Sequence, residues 1–379
     1  MTPGEVHLVA AARPNLPKLA ALWHALRERR PALPLRPVLV HTGQHADARM
    51  FGDHLHDLDL PGPEVSLGVS GGTHAALTGR TMLACESLWL ARPPALVVVP
   101  GDVDGALAAC LAARKLALPV AHLEAGLRCP GERDMPEEVN RRAMDAISDL
   151  LWTPDEASAA RLLREGHAPE AVRAVGNAMA DSLLRALPEA RAHALPAGLE
   201  PGRYGVLTLH RPANVDARAP LSAMLRGVAR AAERLPLAWP VHPRTAARLV
   251  AHGLTAPSGV RALPPLGYLD MLALLSRAAL VATDSGGVQE EATVLGVPCL
   301  TLRPSTERPA TLEAGGNRLV PDPADLAAAV EDVLSGRWPR WRRPVPLWDG
   351  RAGERMADHL ADWLAATRAS RAPAQAVAA

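Results

Sequence analysis

The feature that most constrains this chain is a recurring unit: a short apolar run, a turn rich in glycine or charge, a helical pattern, then another apolar run. Residues 280–300, LVATDSGGVQEEATVLGVPCL, show it most clearly. The run 280–283 ends in Asp284-Ser285-Gly286-Gly287, a helical pattern covers 288–295, and Gly296 with Pro298 stops it before the next run. That is one βαβ unit. Two glycines where a strand hands over to a helix let backbone N–H groups approach a ligand. The helix N-terminus adds partial positive charge, so an anion such as a phosphate fits there. An ordinary βα turn whose acidic residues complement the helix dipole, here Glu290 and Glu291, shows the same pattern. The rest of the chain has to decide.

At 379 residues the natural expectation is two domains. With 3% aromatic residues and one Phe, the core is expected to be Leu, Val and Ala. Arg greatly outnumbers Lys, and Ala and Pro are frequent, which reflects base composition rather than function. A net charge of +1 argues against a nucleic-acid groove or an anionic-membrane patch as the main partner. The N-terminus has no basic region followed by a cleavable apolar core, and no apolar run reaches the length of a membrane span. Cys85, Cys110, Cys129 and Cys299 are scattered without a CxxC pair, as reduced thiols are. A soluble, cytoplasmic protein is expected.

Taken in order, residues 6–11 read as a strand, and Arg13-Pro14-Asn15 turns into a helix carrying Lys18. A strand at 37–41 ends in Thr42-Gly43-Gln44-His45. In the next helix His54 and His56 are two apart and face different sides, so both are assigned to a surface rather than a metal site. Strands at 95–100 and 119–123 end in Gly101-Asp102 and Glu124. Two carboxylates therefore stand at the C-terminal ends of successive parallel strands, the edge where ligands bind in an open α/β sheet. Glu137 opens a later helix, with Arg13, Arg128 and Arg141 available beside the three acids. Such a cluster can push one pKa up and another down, as acid/base chemistry requires. A crossover is placed at Val175-Gly176-Asn177, followed by a helix at 178–187 and a Pro-rich connector at 188–201. A second series follows: a strand at 204–209 ending in His210-Arg211, one at 239–241 ending in His242-Pro243-Arg244-Thr245, and the SGG unit. A final helix covers 350–365, and the tail 367–379 is expected to be disordered. The fold class is α/β, with two doubly wound, Rossmann-like domains, 1–174 and 175–350, facing a central cleft.

Nine motifs now stand in order: Arg13-Pro14 with Lys18, Thr42-Gly43-Gln44-His45, Gly101-Asp102, His122-Leu123-Glu124-Ala125-Gly126-Leu127-Arg128, Pro136-Glu137-Glu138-x-Asn140-Arg141, Gly176-Asn177, His210-Arg211, His242-Pro243-Arg244-Thr245 and Asp284-Ser285-Gly286-Gly287-x-Gln289-Glu290-Glu291. In this the chain resembles the UDP-N-acetylglucosamine 2-epimerases, chiefly the non-hydrolysing type, over roughly residues 5–365. The resemblance implies a GT-B-like fold, helix 351–366 packing back on the N-terminal domain, and a homodimer. It implies interconversion of UDP-GlcNAc and UDP-ManNAc by elimination of UDP to a 2-acetamidoglucal and re-addition, with no metal or other cofactor. The catalytic candidates it implies are Asp102, Glu124, Glu137, His210 and Lys18. The substrate-binding ones are Arg13, Arg141, His242, Ser285, Gly286, Gly287, Glu291 and Arg308, with residues 285–287 on the diphosphate and Glu291 on the ribose.

The chain departs from that family at three places. Ala12 precedes Arg13 where a glycine is usual, and Cys129 replaces a small hydroxylated residue. Gly71-Gly72 and Pro212 stand where some members hold a second UDP-GlcNAc with amide and basic groups, so activation by that sugar is expected to be weak or absent. The rivals are a hydrolysing epimerase, the same chemistry on a modified sugar such as a diacetamido uronic acid, a GT-B glycosyltransferase, and a binding protein without catalysis. Hinges are expected near Val175 and Gly350.

Overall fold

Apolar runs of four to seven residues, too short for buried helices, become parallel strands covered on both faces. The computed structural model describes residues 4–29, 33–43, 48–129, 135–341 and 344–371. The first strands are β1 (Gly4–Ala10), β2 (Leu35–His41), β3 (Val65–Ser66), β4 (Leu96–Pro100), β5 (Val120–Leu123), β6 (Leu150–Thr153) and β7 (Val172–Ala174). They form one sheet in the order β3-β2-β1-β4-β5-β6-β7. The crossovers are α1 (Asn15–Glu28), α2 (Ala48–Asp57), α3 (His74–Ala91), α4 (Asp104–Lys115), α5 (Pro136–Ile147) and α6 (Glu156–Arg164), and α7 (Ala178–Ala192) leads away.

The second sheet runs β10-β9-β8-β11-β12-β13, built from β8 (Gly205–Thr208), β9 (Leu237–Pro240), β10 (Val260–Leu263), β11 (Leu280–Thr283), β12 (Cys299–Thr301) and β13 (Asn317–Leu319). Its helices are α8 (Pro212–Val215), α9 (Arg218–Ala232), α10 (Pro243–His252), α11 (Tyr268–Ser276), α12 (Gly286–Leu295), α13 (Pro309–Glu313) and α14 (Leu326–Leu334); α15 (Ala352–Arg371) ends the described chain. Both sheets reverse strand order at one place. β1 lies beside β4, with Val6 opposite Leu96, and β8 beside β11, with Thr208 opposite Thr283. Connections leave those neighbours towards opposite faces, which opens a crevice at their C-terminal ends.

Helices join the sheets. α7 packs on α1, α11 and α12, while α15 returns to α1 and α7. Phe51 and Leu55 of α2 share a core cluster with Leu269 and Leu272 of α11. Asp57 accepts from the Tyr268 and Leu269 N–H groups at 2.8 and 3.2 Å, so a residue of the first series caps a helix of the second. Gly353 lets α15 approach α1 closely, since a Cβ there would meet the Ala21 carbonyl oxygen at 2.2 Å.

Four expectations are corrected. The core is not aliphatic alone: Trp89, Trp152 and Trp239 are fully buried. The Trp152 indole donates to His359 Nδ1 at 3.1 Å, tying β6 to α15. α7 continues past Pro188 to Ala192 because the buried Ala186 and Ala190 hold that stretch in the core, at the loss of one helix N–H. α15 continues to Arg371; residues 372–379 lie outside the described ones, as do Gln44 and His45. His54 is buried, its ring edge-on to Tyr268 at 5.6 Å, because α2 is sandwiched against α11; His56 is exposed.

Candidate active site

The N-terminal half of the site is built at the β1/β4 crevice. Asn15 opens α1 with its Oδ1 accepting from the Ala11 and Ala12 N–H groups (3.1 and 2.8 Å). Its Nδ2 donates to the Pro100 carbonyl at 3.4 Å, which fastens the two strand ends together. One turn on, Lys18 Nζ donates to Glu124 Oε2 at 2.6 Å with both groups buried. Gly101, at φ +72°, leaves room for that pair: a Cβ there would stand 3.2 Å from Lys18 Nζ and 3.6 Å from Glu124 Oε2. Glu124 itself holds φ at +72°, a left-handed conformation costing about 1–2 kcal/mol in a residue with a side chain. Beside it Asp102 Oδ2 accepts from Arg141 Nη2 at 2.5 Å, and Asn140 Nδ2 donates to the Asp102 carbonyl at 2.9 Å. Of the two glutamates opening α5, Glu138 is the one fully buried, holding Arg141, Arg142 and the Cys129 N–H. Glu137 is half-buried in the first turn of α5, and no hydrogen bond or ion pair joins it to another described residue.

The C-terminal half forms at the β8/β11 crevice. Ser285 caps α12, its Oγ accepting from the Val288 N–H, and Gly286 and Gly287 supply the first helical N–H groups, which have no acceptor within the helix. A Cβ at Gly286 would come within 2.7 Å of Glu307 Oε1, and one at Gly287 within 3.2 Å of Met179 Cε. Arg308, capping α13, is buried with its Nε 2.9 Å from Glu290 Oε1 and its Nη2 3.7 Å from Glu124 Oε2. A cation of the second half thus lies against a carboxylate of the first. His210 follows β8 and His242 follows β9, their ring centroids 5.4 Å apart. His242 Nδ1 accepts from the Arg244 N–H at 3.2 Å.

Between the halves lies a cavity of about 280 Å³. Arg13, His210, His242, Ser285, Gly287 and Glu291 line it, along with His54 and Tyr268. Its charge states diverge. Burial opposes ionisation of Asp102, but Arg141, Lys18 and Arg308 outweigh it and hold the carboxyl below the usual range. Glu124 is depressed in the same way, against burial, by Lys18 and Arg308. Glu290 and Glu291 go the other way: burial raises them to about 7 and about 8, Arg308 offsetting only part of it for Glu290. Burial, with the charges of His210 and Arg13, lowers His242 to about 4, so its ring is neutral at pH 7. Ionised carboxylates paired with fixed cations, beside a cavity lined by Arg13, the protonatable Glu291 and the α12 N-terminus, suit proton transfer coupled to departure of an anion. Among the described residues no group of three or more His, Cys, Asp or Glu could hold a metal ion.

Most sequence candidates meet here. Glu124 pairs with Lys18 and Arg308, Asp102 pairs with Arg141 within the electrostatic reach of both cations, and Arg13, His210, His242, Ser285, Gly287 and Glu291 line the cavity beside them. Sequence reasoning passed over Asp284, Glu290, Glu307 and Tyr268, and it assigned His54 to a surface. Asp284 and Glu290 stood inside a quoted motif. Nothing local marked His54 or Tyr268, whose burial depends on α2 meeting α11.

Two doubly wound halves with a cleft between their strand ends define a GT-B architecture. A lipopolysaccharide outer core galactosyltransferase shares that fold, at TM-score 0.53 and 11% identity over 95% of this chain and 99% of the other. A family model described as UDP-N-acetylglucosamine 2-epimerase matches residues 27–361. The UDP-N-acetylglucosamine 2-epimerase of Methanocaldococcus jannaschii is 36% identical over 93% of this chain and 97% of its own length. Its crystal structure in complex with UDP-GlcNAc and UDP matches at TM-score 0.85, covering 94% of this chain and 99% of that one. The UDP-2,3-diacetamido-2,3-dideoxy-D-glucuronate 2-epimerase of Pseudomonas aeruginosa is 37% identical, over 93% and 98%. The chain belongs to the UDP-N-acetylglucosamine 2-epimerase family, whose members are isomerases. No described helix is long and apolar enough to cross a membrane.

Proposed function

We propose that this enzyme interconverts UDP-GlcNAc and UDP-ManNAc without releasing free sugar. The observation that carries the reading is the pair of ionised carboxylates, Asp102 and Glu124, held by Lys18, Arg141 and Arg308, the last of which also pairs with Glu290 of α12. The C2 proton is weakly acidic, and removing it needs a water-poor base within hydrogen-bond reach. As that proton leaves, the C2–H electrons form C1=C2, the C1–O bond breaks, and its electron pair departs with UDP. Residues 285–287, Arg13 and Arg308 supply positive charge for the departing diphosphate, and Glu291 takes the ribose hydroxyls. UDP then adds back to the 2-acetamidoglucal after protonation on the opposite face of C2.

Binding itself prepares this step. The diphosphate competes for Arg308, which weakens its hold on Glu124 and makes that carboxylate a stronger base once substrate is present. Glu137, at the start of α5, is the third acid/base candidate. The working unit in this reading is a cytoplasmic homodimer, with domains 1–174 and 175–350 closing on the sugar nucleotide and residues 351–366 carried with the first. Incubation with UDP-GlcNAc and identification of the product tests the reaction. UDP-ManNAc in equilibrium with substrate is the expected result. Free ManNAc plus UDP would assign hydrolysis instead, and turnover of only a diacetamido uronic acid would assign the modified sugar.

A further inference from the structure

One carboxylate on the floor of the cleft has no part in the chemistry above. Asp284 is fully buried at the end of β11. Its Oδ1 accepts from the His210 N–H at 3.0 Å, and its Oδ2 accepts from the Arg211 N–H at 3.0 Å and Asn214 Nδ2 at 3.1 Å. Oδ1 also lies 3.0 Å from His210 Nδ1. β8 and β11 are hydrogen-bonded neighbours, so this pair is set by the sheet and not by a loose loop.

A carboxylate with four donors around it serves them all only when ionised. Burial opposes that, but the His210 ring, the Arg211 N–H and Asn214 together keep Asp284 below the usual range. The proton between Asp284 and the ring therefore sits on His210 Nδ1, and Nε2 is the nitrogen left for a ligand. The other groups around this ring are His242, Arg13 and Glu291 across the cavity, and Arg211, whose guanidinium meets Glu307 at 3.1 Å. None of them offers Nδ1 a second acceptor as close.

We propose that Asp284 is a positioning residue that holds His210 in its Nδ1–H form and steadies the imidazolium, so that His210 Nε2 meets the oxygen on which UDP departs. In the elimination the C1–O electron pair passes to that oxygen, and a second proton, taken from solvent onto Nε2, hydrogen-bonds the charge that develops there while Asp284 keeps the first on Nδ1. The leaving group in this statement rests on the epimerase reading; the state of the ring does not.

Long-range ¹H–¹⁵N NMR of the intact protein with ¹⁵N-labelled histidine reads the ring directly, the His210 signals being assigned by their loss in His210→Gln. The expected spectrum has Nδ1 protonated in the wild type and a mixture of tautomers in Asp284→Asn. On UDP-GlcNAc, Asp284→Asn should lower kcat about 100-fold with KM changed less than about threefold, and the double variant should fall little below His210→Gln alone. An Nε2–H tautomer in the wild type overturns the proposal without any variant having to fold. So does a double variant whose losses multiply, or an Asp284→Asn protein that loses UDP binding while its ring is unchanged. A wild type inert towards UDP-GlcNAc would overturn the assigned reaction, and the spectrum would still decide the role of Asp284.

Discussion

Replacing Glu291 by Gln should remove a proton-linked step from nucleotide binding. Glu291 lies on the second turn of α12, facing the cavity. Burial first, and then the charge of Glu290, raise its carboxyl from 4.5 to about 8. At pH 7 such a group is ~0.9 protonated. Ribose hydroxyls donating to it favour the ionised form, so binding expels the proton. The sign follows: affinity for UDP rises with pH, by up to about tenfold per unit between pH 5 and 8, and levels off above the raised pKa. Stability of the empty protein moves oppositely. The unfolded chain ionises this group near 4.5, so stability falls as pH rises from there through about 8. Calorimetric titration with UDP at pH 7, in buffers of different ionisation enthalpy, counts the protons released. The Gln variant should release up to ~0.9 fewer, with the nucleotide's own ionisation cancelling in the comparison. Equal release by the two proteins would refute the reasoning.

The crowding around the two glycines of α12 predicts unequal costs. Gly286→Ala presses on Glu307, which Arg211 and Arg303 hold at 3.1 and 2.8 Å, and should cost about 1–3 kcal/mol in chemical denaturation, with weaker UDP binding. Gly287→Ala meets only the flexible end of Met179 and should cost less than half of that in the same assay. With glycines at 71–72 and Pro212 after the His-Arg motif, epimerisation of UDP-ManNAc should proceed without added UDP-GlcNAc. A lag abolished by trace UDP-GlcNAc in a titration would show that activation persists. Closure about Val175 and Gly350 should lower the radius of gyration when UDP binds, and identical solution-scattering profiles with and without UDP would exclude it.

Much of the fold was legible because it is carried by local pattern. Buried runs such as residues 96–100 and 280–283 have no competing period, and the turns after them carry glycine or charge, so strand ends and the candidates on them were placed together. The two edge strands of the first sheet were not legible. Val65–Ser66 is two residues long, Val172–Ala174 is only partly buried, and both depend on a neighbouring strand for their form. His54 shows the same limit within the site. Its spacing from His56 states which sides of a helix the two occupy, but which side is buried is decided by α11, more than two hundred residues away. Pro188 misled for a related reason, since tertiary burial of Ala186 and Ala190 overrides a local helix breaker. Glu138 and Glu137 are adjacent in sequence and alike in chemistry, and only the packing of α5 separates the buried one from the half-buried one.

The most direct measurement is proton NMR of UDP-GlcNAc incubated with the enzyme in D₂O. Removal of the C2 proton by a carboxylate that exchanges with solvent predicts deuterium at C2 in UDP-ManNAc, and in the substrate pool as equilibrium is approached, with both lost in Asp102→Asn. Epimerisation that kept the original C2 proton, or exchange that persisted undiminished in Asp102→Asn, would contradict the placement of the chemistry at this cluster.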